Sequence, residues 1–282
     1  MTTPPLFYRH PRPPGVRISK IMAGNLHNAV SLILSHMMGG FSFVAVDTQF
    51  PGEVHRHPRG DALTADERYG VVKANADELR LLQMGITLCD AQGRLPVIPW
   101  GADGGLHEMM WEVDFCDFDA RLHRHVPESV EFLRSQGFDF LAARHFGVPA
   151  DVFAAELHRA GILRLPGITW VTFGGMYDAA FMFKLATFGA PLPESRQGLV
   201  AQVGAHFGPL VFDGKYMALA VNAHGSLAAV GEKLGLPALE PNIHMAGPNS
   251  LMAIHVFMEL RRRFVPLRGG HRSCSLQFYG LI

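Results

Sequence analysis

At 282 residues and 48% hydrophobic content, the chain can bury a full core and is read as one large domain. Its 25 Lys and Arg balance 25 Asp and Glu, which excludes recruitment of nucleic acid by a global basic field; such a partner needs a local cleft. Cys89, Cys116 and Cys274 lie far apart and offer neither a disulfide framework nor zinc spacing, and no apolar run is long enough to span a bilayer.

Residues 1–15 are Pro-rich and carry Arg9, His10 and Arg12, so a disordered arm is expected there rather than a signal peptide, with the folded domain over 16–282. Leu26, Ala29, Val30, Ile33, Leu34 and Met37 recur at helical spacing, with Asn25 as N-cap and Gly39-Gly40 as stop. The apolar run Phe41 to Val46 reads as a buried strand that ends in Asp47, Thr48 and Gln49 before a Pro-Gly turn. Residues 55–66 read as an exposed loop, and a helix is expected from Val71 to Gln83 with Leu79 and Leu82 facing in. Strands follow at Ile86–Cys89, Leu95–Ile98 and Met110–Phe115, giving a run of antiparallel strands that begins with the acid-bearing one. The second half is mostly helical. Helices are expected over Pro127–Leu133, Ala150–Ala160, around Tyr177–Leu185, and over Ser195–Phe207, Lys215–Val221, Ser226–Leu234 and Ser250–Phe264, with a strand at Ile168–Phe173. The expected class is α/β, a mixed sheet flanked by helices.

Three places carry chemistry. Asp47 and Gln49 alternate onto one side of their strand, about 7 Å apart, a spacing at which two acids could share a divalent metal; here the second is an amide. Asp178 sits near the start of a helix that follows a buried strand. His244 precedes a short loop, Met245 to Asn249, and a new helix. Singly, each of these is better explained by a turn, a cap or packing. Asp213 is read as structural. The pairs His55/His57 and His123/His125 lack carboxylates or thiols at ligand spacing and read as solvated loops, and the many phenylalanines read as core.

The order strand acid, helical acid, then histidine with a loop polar residue resembles the His-containing subgroup of DEDD-superfamily 3′→5′ exonucleases. The blocks FVAVDTQFPG, VVKANADELRLLQMGITLCDAQG, WEVDFCDFD, HVPESVEFLRSQGFDF, GITWVTFGGMYDAAFMFKLAT, PLPES and HMAGPNSLMA resemble the Caf/Pop-type deadenylase subunit of the Ccr–Not complex, from about Val16 to Leu281. The resemblance implies an RNase H-like exonuclease fold and a mechanism with two Mg²⁺ or Mn²⁺ ions held by four carboxylates. It places Asp47 and Asp178 at metal-ligand positions and His244 at the general base. It also implies poly(A) RNA as substrate, rather than DNA or a membrane, a Not scaffold and a second deadenylase as partners, and residence in cytoplasm and nucleus.

Two positions depart from that pattern. Gln49 stands where the family has Glu in its DTEFPG-like block, and Asn249 where it has the last Asp of its HQAGSDS-like block. The formal charge of the four positions falls from minus four to minus two. In a low-dielectric cleft each such loss involves roughly several kcal/mol, or about a hundredfold to a thousandfold in rate. Both swaps keep volume, so the fold is expected intact while hydrolysis is impaired and the chain acts by binding or scaffolding. The alternative is a working Mg²⁺-dependent poly(A) exoribonuclease that tolerates the two amides.

Overall fold

The computed structural model of the protein describes residues 15–58, 63–100, 104–238, 245–264 and 270–281. The expected N-terminal arm lies, Gly15 apart, outside them, as does His244.

Seven strands among the described residues form one mixed sheet: β1 (Val16–Ile21), β2 (Phe43–Gln49), β3 (Gln83–Cys89), β4 (Val97–Trp100), β5 (Gly105–Asp114), β6 (Thr169–Thr172) and β7 (Val211–Asp213). Their order is β1-β5-β3-β2-β6-β7, with β4 paired to β5. β2, β3, β5 and β4 run antiparallel in succession, as the sequence suggests. β1 and β7 were not expected; each joins the edge in parallel, β1 on β5 and β7 on β6. β2 therefore lies inside the sheet, between antiparallel β3 and parallel β6.

The helices are α1 (Leu26–Met38), α2 (Ala65–Glu78), α3 (Pro127–Ser135), α4 (Phe140–Phe146), α5 (Ala150–Ala160), α6 (Met176–Ala186), α7 (Arg196–Phe207), α8 (Gly214–Leu219), α9 (Leu227–Lys233) and α10 (Ala246–Phe264). They cover both faces. Val44 and Val46 of β2 enter a core built with α1, α5, α6 and α7, whereas Phe43 and Ala45 enter a second core under α8, α9 and α10. Side chains alternate along a strand, so Asp47 and Gln49 share the parity of Phe43 and Ala45, while Thr48 takes the other face. No helix of the described residues is long and apolar enough to cross a membrane.

Four expectations need correction. α2 begins at Ala65, not Val71, because Thr64 accepts from the Glu67 N–H and the Glu67 carboxylate accepts in return from the Thr64 N–H, a capping box. It ends at Glu78, and Gln83 belongs to β3; Leu79 and Leu82 are buried, but outside the helix. α10 begins at Ala246, so Asn249 lies in its first turn rather than in a loop. Asn25 precedes α1 without capping it: its Oδ1 accepts from the Met22 N–H and its Nδ2 donates to the Lys20 carbonyl.

Candidate active site

The cleft is built where β2 runs out of apolar residues. Asp47 and Gln49 project together, and Gln49 Nε2 donates to Asp47 Oδ2 at 2.8 Å. Asn249, arriving from α10, donates Nδ2 to the same oxygen at 3.2 Å. A carboxylate only accepts, so each amide turns its NH₂ towards Asp47.

Asp178 lies in the first turn of α6, where the helix dipole favours a negative charge. Its Oδ1 accepts from the Thr48 N–H at 2.9 Å and from the Thr48 hydroxyl at 2.6 Å. Thr48 thus ties α6 to the strand between the two cleft positions, a role that the sequence reading missed. Behind α6, the buried Asp213 carboxylate accepts from the N–H groups of Gly174, Gly175, Lys215 and Tyr279 at 2.8–3.1 Å. Its structural reading matches this geometry. It pins the β6–α6 connection, in which Gly174 has φ +66° and a side chain on Gly175 would meet Thr172.

The start of α10 is bolted to the sheet by a polar network. Gln83 Oε1 accepts from the Ala246 N–H and Glu112 Oε2 from the Gly247 N–H, at 2.9 and 2.8 Å. Gln83 Nε2 donates to Asp114 at 2.6 Å. Lys20 closes the network, 2.5 Å from Glu112 and 3.0 Å from Asp114. Thr87 and Ser250 share a hydroxyl hydrogen bond of 2.7 Å. Gly85 faces the same helix, and a Cβ there would run into the Ala246 carbonyl. Glu112 and Asp114, two acids alternating within an apolar strand, and a glycine inside a strand, were the available sequence signals for this support.

Burial drives the electrostatics. The Asp47 carboxyl is held well above the usual range, first by desolvation and then by the Asp178 charge, against the two amide hydrogen bonds that favour the carboxylate. Asp178 is pushed up to about 7 by desolvation, opposed by the bonds from Thr48. Two acids that resist ionisation together attract a divalent cation, which would relieve both costs. Among the described residues, however, no group of three or more His, Cys, Asp or Glu is placed to hold a metal. Asp47 and Asp178, near enough for the charge of one to raise the other, are the two carboxylates left to attract a hard cation. Gln49 and Asn249 turn their NH₂ groups to Asp47 and have only neutral amide oxygens left to offer a cation, so the donor set is two carboxylates short of a four-carboxylate, two-ion centre. The histidine pairs stay outside the cleft, where His55 contacts Glu78 at 2.5 Å and His125 the His123 carbonyl at 2.9 Å.

Residues 21–150 match the family model of the CAF1 family ribonucleases. A probable CCR4-associated factor 1 homolog 7 of Arabidopsis thaliana is 33% identical over 94% of this chain and 94% of its own length. The chain belongs to the CAF1 ribonuclease family. The poly(A) ribonuclease pop2 of Schizosaccharomyces pombe is 31% identical over 94% of this chain and 75% of its own length. The structure of S. pombe Pop2p in its Mg²⁺- and Mn²⁺-bound form superposes with a TM-score of 0.80 at 28% identity, covering 94% of this chain and 99% of that one. A structure of the yeast NOT1 MIF4G domain co-crystallised with CAF1 gives a TM-score of 0.74 at 21% identity over 99% and 100% of the two chains, a likeness of fold. The mixed sheet with its flanking helices is therefore the RNase H-like fold of CAF1 and Pop2 proteins, as the sequence resemblance implied.

Proposed function

We propose that this CAF1-family chain is a subunit of the Ccr–Not deadenylation machinery whose own hydrolysis is weak, and that it acts chiefly by holding poly(A) RNA and partner subunits. The observation that carries the reading is the pair of amide hydrogen bonds on Asp47: Gln49 and Asn249 supply internally the positive partners that a cation otherwise supplies. In the proposed site Asp47 and Asp178 are the metal ligands, Gln49 and Asn249 the degenerate positions, and His244 the general base. A bound Mg²⁺ or Mn²⁺ would neutralise phosphate oxygens and stabilise a leaving oxygen. The chain's own residues orient that site: Thr48 fixes Asp178, and the Gln83–Glu112 network fixes the turn that bears Asn249.

Metal use is supported by the Mg²⁺ and Mn²⁺ form of Pop2p, poly(A) by the name of the S. pombe relative, and a Not scaffold by the NOT1 domain crystallised with CAF1. A second deadenylase as partner rests on the sequence resemblance alone.

The test is trimming of a labelled poly(A) oligonucleotide in Mg²⁺ or Mn²⁺. The native chain should trim at least about a hundredfold more slowly than the Gln49→Glu, Asn249→Asp double variant, one lost ligand contact being worth about 3 kcal/mol of barrier. Brisk trimming by the native chain, or an inert double variant, would overturn the reading.

A further inference from the structure

We propose that the groove between the segment after β2 and the start of α3 is the track along which single-stranded RNA leaves the Asp47–Asp178 cleft, its phosphates held by Arg56, Arg121 and Arg124. This rests on the reading that the cleft receives an RNA end.

The groove has a volume of about 580 Å³, with Glu53 to Arg56 on one wall and Arg121 to Glu128 on the other. It adjoins the cleft through covalent and packed structure. β2 ends at Gln49, and the next turn is fastened to the far wall by the Val126 N–H, which donates to the Pro51 carbonyl at 2.8 Å. Gly52, at φ +81°, lies so close to Val126 and Ser129 that no Cβ would fit, so the two walls meet at their base. On the other side the hydroxyl of Tyr177, the residue before Asp178, accepts from Asn75 Nδ2 at 3.2 Å and lies near enough to Glu53 of the groove wall for that carboxylate to join burial in holding the phenol's pKa up. A strand whose end sits between Asp47 and Asp178 therefore has this groove immediately beside it.

The lining chemistry suits a phosphate backbone. Three guanidinium groups line the groove against two carboxylates, Glu53 and Glu128. The acids that pair with the arginines are not part of the lining. Asp119 grips Arg121 through Nε and Nη2 at 3.1 and 2.9 Å, and Glu78 takes Arg124 Nη1 at 3.1 Å on both oxygens. Both side chains remain open to solvent, at 86% and 59% exposure, so they are held in place and still accessible. Guanidinium groups fixed in advance lose less freedom on meeting phosphate. His123 is also set, its Nδ1 accepting from the Asp119 N–H at 3.0 Å, and Leu122 is 75% exposed; both offer flat or apolar surface to unstacked bases.

The experiment is fluorescence anisotropy of a 5′-labelled oligoadenylate with the full chain in EDTA, where binding is read without trimming. Replacing Arg56, Arg121 and Arg124 together by Ala should weaken binding at least about tenfold and flatten the salt dependence by about two, the share of three single-strand phosphate contacts. Arg121→Lys, which keeps the charge and leaves the Glu78 pair intact, should retain most of the affinity; the single Arg56→Ala variant gives the same readout should the triple variant not fold. An unchanged affinity and slope in the alanine variants overturns the proposal alone; failure of the native chain to bind oligoadenylate overturns it together with the poly(A)-holding part of the proposed function. Equal competition by polyglutamate also overturns it, in favour of an acidic polypeptide. The deadenylase reading falls on a different result, an inert Gln49→Glu, Asn249→Asp variant, whatever the arginines do.

Discussion

Asp47 and Asp178 differ in what surrounds their oxygens, and that difference sets the behaviour of the cleft. Asp47 meets two side-chain amides, whereas Asp178 meets one residue, Thr48, through both its N–H and its hydroxyl. Asp178 titrates at about 7 in the folded protein, mainly through burial, while an unfolded aspartate ionises near 4. Between those values the folded chain keeps a proton that the unfolded chain has released. Stability from this group is therefore complete at low pH, falls as the pH rises through the window, and levels off above about 7. Asp178→Asn can keep both bonds from Thr48 on its amide oxygen and never ionises. In EDTA it should be more stable than the native chain at pH 8 by about 1 kcal/mol or more, because each tenfold gain in proton affinity on folding is worth about 1.4 kcal/mol. Near pH 4 the two should be equal. Denaturant melts at the two pH values check this, and an equal difference at both would refute it. The parity of Asp47 with Gln49 was legible in the sequence because strand alternation is local. The Thr48 to Asp178 link was not, since it joins residues 130 apart.

At the scale of elements, three alternate residues of β3 explain how α10 delivers Asn249. Gln83 binds the Ala246 N–H, Gly85 admits the Ala246 carbonyl, and Thr87 meets Ser250. Gly85→Ala would drive a methyl group into backbone. The expected loss is about 1–3 kcal/mol, with faster amide exchange at Asn249 and Ser250 and little change at the far end of α10. Uniform exchange changes along the helix would remove this account. The same helix shows why element ends were hard to read. Gly247-Pro248 looks like a turn, yet proline is tolerated in a first helical turn, whose N–H groups have no intrahelical acceptor. At α2, Leu79 and Leu82 continued the apolar rhythm past the true end, whereas the capping residues Thr64 and Glu67 marked the true start. The antiparallel run from β2 was legible because its strands are sequential; β1 and β7 pair across long separations and were not.

Across the whole molecule, the expected outcome is a fold that does not need metal at the cleft, because two amides already hydrogen-bond Asp47. A ligand that binds only the folded state stabilises it by RT ln(1 + [L]/Kd), which is about 0.4 kcal/mol when the concentration equals Kd and about 2.7 kcal/mol at a hundred times Kd. With two carboxylates at the four positions, millimolar Mg²⁺ should sit near or below Kd and raise Tm by no more than about 1–2 °C, since 1 kcal/mol moves Tm by about 2–4 °C in a chain of 150–250 residues. Gln49→Glu with Asn249→Asp packs two more negative charges beside Asp47 and Asp178. That variant should melt below the native chain in EDTA and gain about 5 °C or more in the same Mg²⁺. The two curves should thus converge or cross as metal is added, a pattern that separates a lost ligand set from a damaged fold. Parallel curves, with equal gains from Mg²⁺, would mean that the amides at 49 and 249 do not govern cation affinity.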